Sequence, residues 1–119
     1  LDPVFSSGVF LALKSGVMLA DEIDQALKSG QPVTSKNFEN YGKRMQSSIE
    51  TMRKIVYAFY DPEFSFGDLV KRGDHLRSAL TDCLIGNVDD QDFQELFDSM
   101  SVLAKLPEPV EHGLAQASP

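Results

Sequence analysis

A chain of 119 residues has room for one domain of ordinary size and not for two, and its 42% hydrophobic content supports a core. The net charge of −7, with an isoelectric point near 4.6, excludes sequence-independent binding to nucleic acid or anionic membranes, which needs basic patches. A single cysteine, Cys83, excludes an internal disulfide framework and fits a reducing, cytoplasmic compartment.

The first seven residues read as an Asp2-Pro3 turn followed by Ser6 and Ser7, either of which can cap a helix. The spacing predicts that helix over 9–29, with Gly30 as its stop and Pro32 beyond. From Val9 to Ala20 apolar residues go almost all the way round, a pattern that predicts burial on every side. Lys14 and Ser15 interrupt the run, so it falls short of the ~18 apolar residues of a membrane span. No basic stretch of the kind that opens a signal peptide precedes it. Gly8, Ala12, Gly16 and Ala20 recur at steps of four and line one face with nothing larger than a methyl group. Glycine inside a helix costs about 0.5–1 kcal/mol against alanine, so this row is expected to admit another backbone closely. Beyond Ala20 the helix turns amphipathic, with Ile23, Ala26 and Leu27 expected inward.

A second helix is predicted from Thr34 or Ser35, and Ser35 with Phe38 offers no capping box. Its stripe is Phe38, Tyr41, Met45, Ile49, Met52, Val56 and Phe59, and Asp61-Pro62 ends it. Five aromatics follow closely: Tyr57, Phe59, Tyr60, Phe64 and Phe66. They read as a satellite core under a loop rather than the wall of a substrate cavity. A short helix ending at Gly73 comes next, then a helix over 75–85 capped by Asp74 and stopped by Gly86, with Leu76, Ala79, Leu80, Cys83 and Leu84 inward. Asp89, Asp90 and Asp92 load the start of a last helix, whose stripe is Phe93, Leu96, Phe97, Met100 and Leu103. Pro107 and Pro109 close it, and a tail over 107–119 is expected to be flexible. Strand signals are almost absent, so the fold class is all-α, a bundle of four to five helices.

The chemistry-bearing residues form no complete active site. His75 and His112 lack partners at ligand spacing, which argues against zinc. Asp89-Asp90-Gln91-Asp92 lacks the glycine and distal glutamate of a calcium loop. Cys83 sits on an apolar stripe and reads as a small buried hydrophobe. Asp21, Glu22 and Asp24 share one polar face and read as solvated. What remains is the start of the first helix, where N–H groups at Ser7, Gly8 and Val9 can meet an anion with help from the dipole.

The string Asp2-Pro3-Val4-Phe5-Ser6-Ser7-Gly8-Val9, with Leu11-Ala12 and Ser15-Gly16, resembles the segment after the second flavin-binding motif of flavin-dependent halogenases (tryptophan halogenase-like) and related FAD-dependent oxidoreductases. Tyr57-Ala58-Phe59-Tyr60-Asp61-Pro62, Phe64-Ser65-Phe66 and residues 76–82 look like the helical C-terminal region of such proteins. The resemblance covers most of the chain, and its specific motif covers the first dozen residues. Phe10 departs from the pattern, since many members carry histidine there.

The resemblance implies a fragment of a larger α/β flavoprotein. Residues 1–8 would be a flavin-edge segment completing an FAD domain upstream, and 9–106 a C-terminal helical domain covering the substrate side. Pro3, Val4, Phe5, Ser6, Ser7 and Gly8 would be the cofactor-binding residues, and Ser7 and Gly8 would hold the halide in a halogenase. The implied partners are that FAD domain and a small-molecule or carrier-bound aromatic substrate, with neither nucleic acid nor membrane. Alone, the chain is expected to be catalytically inert, to bind no FAD, and to pair with itself through the apolar first helix if that helix is exposed. The competing reading is a cofactor-free helical module for protein interaction.

Overall fold

A computed structural model describes residues 7–88 and 91–110. Among the described residues five α-helices follow one another: α1 Ser7–Lys28, α2 Glu39–Tyr60, α3 Phe66–Val70, α4 Asp74–Leu84 and α5 Gln94–Ser101. A 3-10 turn, Ser35–Phe38, leads into α2. There is no strand among the described residues, so the all-α expectation is met.

The helix ends follow local chemistry. Gly30 and Gly86 take positive φ values of 66° and 81° just after α1 and α4, a conformation that suits glycine. Asp61 takes an extended conformation ahead of Pro62 and ends α2. The Ser65 hydroxyl accepts from the Asp68 N–H at 3.2 Å and caps α3. Two caps differ from the sequence expectation. Asp74 is the first residue of α4 rather than its cap, and Gly73 stands at the cap position. At the entry to α2 the Asn37 side-chain oxygen accepts from the Thr34 N–H at 2.8 Å. Thr34 and Asn37 therefore do the work that Ser35 and Phe38 could not.

The core lies where α2, α3, α4 and α5 meet. Met52, Ile55 and Ala58 from α2 pack with Leu69, with Leu76, Leu80 and Cys83, and with Leu96 and Met100. Burying each large side chain here contributes about 1.5–3 kcal/mol. The buried line of α2 is Ser48, Thr51, Met52, Ile55 and Ala58; the expected stripe holds at Met45, Ile49 and Met52, which meet the core, and is displaced in the last turns. Val56 is half-buried and Phe59 is exposed. Small side chains at Ser48, Thr51 and Ala58 hold the buried side, which a count of apolar residues does not favour. Leu84 is likewise exposed rather than inward.

Residues 105–110 run back along α2. The Lys105 N–H donates to Asp61 Oδ2 at 3.2 Å, and the Val110 N–H donates to Glu50 Oε1 at 3.4 Å. Arg53, paired with Glu50 at 2.9 Å, also donates to the Glu108 carbonyl. Residues 107–110 of the expected tail are thus tied to α2, and the rest of it lies outside the described residues.

α1 departs most from expectation. One side turns Leu11, Met18 and Ala26 inward, with Ser15 Oγ and the Tyr41 hydroxyl 2.6 Å apart linking it to α2. The opposite side is open: Val9, Leu13 and Val17 are 66%, 70% and 65% exposed, and Ile23 and Leu27 are exposed too. Ala12, Gly16 and Ala20 lie on this open side, and a Cβ added at Gly16 would meet nothing. Among the described residues no backbone enters the small row, because the other helices pack on the far side of α1.

Gly42 lies exposed inside α2, and a Cβ there would also meet nothing. Gly42→Ala is therefore expected to raise stability by about 0.5–1 kcal/mol, read from the midpoint of a urea titration.

Candidate functional site

The residues singled out by sequence meet at the start of α1, where Ser7 and Gly8 occupy the first two helical positions. Pro3, Val4, Phe5 and Ser6 lie outside the described residues. Ser7 is 2% exposed, and its hydroxyl finds no hydrogen-bond partner among the described residues. Such a group costs about 1–3 kcal/mol when left unsatisfied, so a buried orphan asks for an explanation.

This end of α1 is held by a contact the sequence reading missed. The Phe10 ring rests on Gly86, so closely that a Cβ at Gly86 would overlap it. Lys14 Nζ donates to the Gly86 carbonyl at 2.9 Å and stands 5.5 Å from the centre of the Phe10 ring. Leu11 enters the core from the same stretch. The turn after α4 is thus the seat for the first two turns of α1. Gly86 was legible as a helix stop, but no periodicity links it to a residue far upstream.

The electrostatics of this end are distinctive. The first turns of α2, α3, α4 and α5 carry Glu39, Asp68, Asp74 and Glu95, while that of α1 carries no acid. The partial positive charge of the α1 N-terminus is therefore not countered by an acid of its own first turn. Backbone N–H groups, a hydroxyl without a partner among the described residues and a first turn without an acid together suit an anionic or electron-rich group.

The other candidates resolve into structural roles. His75 Nε2 lies 3.1 Å from Glu95 Oε1 and ties α4 to α5. Among the described residues no three His, Cys, Asp or Glu side chains group as a metal site. Asp92 accepts from the Gln94 N–H at 2.8 Å just ahead of α5, while Asp89, Asp90 and His112 lie outside the described residues. Asp24 pairs with Lys28 at 2.7 Å, and Asn40 donates to Glu22 at 3.5 Å. Phe64 and Phe66 meet edge-to-face at 4.8 Å between ring centres and pack against the core. Val56, Tyr57, Tyr60, Asp61 and Pro62 line a hollow of about 420 Å³ beside them. No described helix is long and apolar enough to cross a membrane. Compared with protein-family models, with curated proteins and with solved structures, the chain matches none.

Cys83 is fully buried, and burial pushes its thiol up to about 12, with the Asp82 charge adding to the rise. Folding thus raises this pKa above its unfolded value. The stability linked to it is complete below the ordinary thiol range and falls as pH rises beyond it, where only the unfolded chain forms thiolate. Cys83 is expected to resist a disulfide reagent at pH 8 and to react fully in denaturant, as a thiol-release assay would show.

Gly86→Ala is expected to destabilise by more than about 1 kcal/mol, combining its positive φ with the Phe10 overlap. In a Phe10→Ala background only the backbone part should remain, which a double-mutant denaturation cycle measures.

Proposed function

We propose that this chain is the C-terminal helical part of a FAD-dependent oxidoreductase, monooxygenase or halogenase-like enzyme, with the tip of α1 at the flavin edge. The observation that carries the reading is the buried Ser7 hydroxyl without a partner among the described residues, at a helix whose first turn has no acid. That is the environment a flavin edge would complete, and it coincides with the residues on which the resemblance rests.

Bound FAD would supply the two-electron chemistry. In this reading Ser7 and Gly8 orient the flavin edge through their N–H groups and the Ser7 hydroxyl. Pro3, Val4, Phe5 and Ser6 form the segment crossing the ring. The α1 dipole favours negative charge on the facing part of the flavin, worth about 0.3–1 kcal/mol when exposed and up to ~2 kcal/mol when partly buried. In a halogenase the same Ser7 and Gly8 amides would hold the halide. The remaining helices cover the substrate side, where a small-molecule or carrier-bound aromatic substrate would lie. The FAD-binding domain is the required partner, and the chain alone is inert.

A second reading, a cofactor-free module for protein interaction, draws on one observation, the open apolar side of α1.

The 119-residue chain is expected to show no FAD binding in a fluorescence titration, because the bulk of the cofactor's contacts would belong to the partner domain. The protein expressed from its full reading frame is expected to carry the two-band absorbance of oxidised flavin. In that protein Gly8→Asp would set a carboxylate at the helix start and lower the flavin's reduction potential. A colourless full-length protein, or a potential indifferent to Gly8→Asp, would remove the α1 tip from the flavin.

A further inference from the structure

The open side of α1 carries a pattern that the flavin reading does not use. Take Gly16 as the centre and pair residues equally far before and after it. Val9 mirrors Ile23, Ala12 mirrors Ala20, and Leu13 mirrors Leu19. At ~100° per residue, these positions all lie within about 60° of Gly16 around the helix. The residues that break the mirror, among them Phe10 with Glu22 and Leu11 with Asp21, lie outside that arc. So the symmetry belongs to one face. It is the exposed one, apart from Leu19, which is half-buried at its edge.

A two-fold contact requires such a self-complementary surface, where each residue meets its mirror on the other copy. We infer that the partner of this face is a second copy of the chain, its α1 antiparallel across a two-fold axis at Gly16. Ala12, Gly16 and Ala20 let the helices approach more closely than the usual 8–10 Å. Val9 and Leu13 then pack against the partner helix's Ile23 and Leu19 at either end. Gly16 is ready for this approach, since a Cβ there meets nothing in its own chain.

Charge selects the antiparallel direction. Between Ser7 and Leu19, α1 has Lys14 and no acid; between Ala20 and Lys28 it has Asp21, Glu22 and Asp24 against Lys28. Antiparallel pairing lays each acidic half beside the other copy's acid-free half. Parallel pairing would set the acidic halves side by side. Ser7 lies on the opposite side of α1 from Gly16, with the core-facing residues, so the pairing does not consume it. The inference therefore stands apart from the flavin reading.

Sedimentation equilibrium of the 119-residue chain is expected to give twice its 13.2 kDa mass at micromolar concentrations. Leu13→Glu should return the single mass with unchanged helical circular dichroism, since Leu13 touches little of its own chain. Under mild oxidation Gly16→Cys should cross-link with itself. Ala12→Cys and Ala20→Cys should cross-link with each other in a mixture, at least tenfold more than either does alone. Buried Cys83 stays out of this readout. A single mass at every concentration overturns the inference and leaves the face to a different protein domain. Self-cross-linking of Ala12→Cys in preference to the mixture overturns it as well, because that is the parallel register.

Discussion

The fold depends on the side of α2 that runs from Ser48 to Ala58. Ile55 fills the centre of this line, while Ser48, Thr51 and Ala58 keep its flanks low. Low flanks let neighbouring helices come near, so Leu76, Leu80 and Cys83 of α4 and Leu96 and Met100 of α5 gather round one strut. Short helices of five, eleven and eight residues are marginal alone in water. Here they are stabilised in one shared core, where α4 meets α2, α3 and α5. The return of residues 105–110 along α2, anchored at Asp61 and Glu50, closes the opposite edge of α2.

Helix ends were far more legible in the sequence than helix faces. Gly30, Pro62, Gly86 and Ser65 act through their own backbone or a neighbour within a few residues, so their effect can be read locally. Which side of a helix is buried depends on what lies across from it. On α2 the expected stripe meets the core through Met45, Ile49 and Met52, yet beyond them packing chose Ile55 and Ala58 over Val56 and Phe59. α1 makes the same point more strongly. Its apolar circumference demands burial on all sides, and the described residues supply neighbours for one. Hydrophobicity states that a side chain gains by leaving water; it does not name the surface it will leave water for.

The candidate site was partly legible for the same reason. A helix start with hydroxyl and glycine residues is a local pattern, and Ser7 and Gly8 were found by it. Its seat was not, because Phe10, Lys14 and Gly86 meet only through the tertiary fold. Both unexplained features of α1, the orphan hydroxyl at its tip and the bare apolar side, concern what lies beyond the chain's own contacts. They occupy different sides of the helix, so one partner at the tip and another along the side are compatible in geometry.

The Lys14–Gly86 hydrogen bond joins residues 72 positions apart. It fixes the start of α1 on the turn after α4, while the Ser15–Tyr41 contact fixes the same helix on α2, 26 positions away. α1 is therefore a clasp between a near and a distant part of the chain. Closing the longer of these loops costs only about 1 kcal/mol more entropy than closing the shorter, so a seat far along the chain is nearly as accessible as a near one.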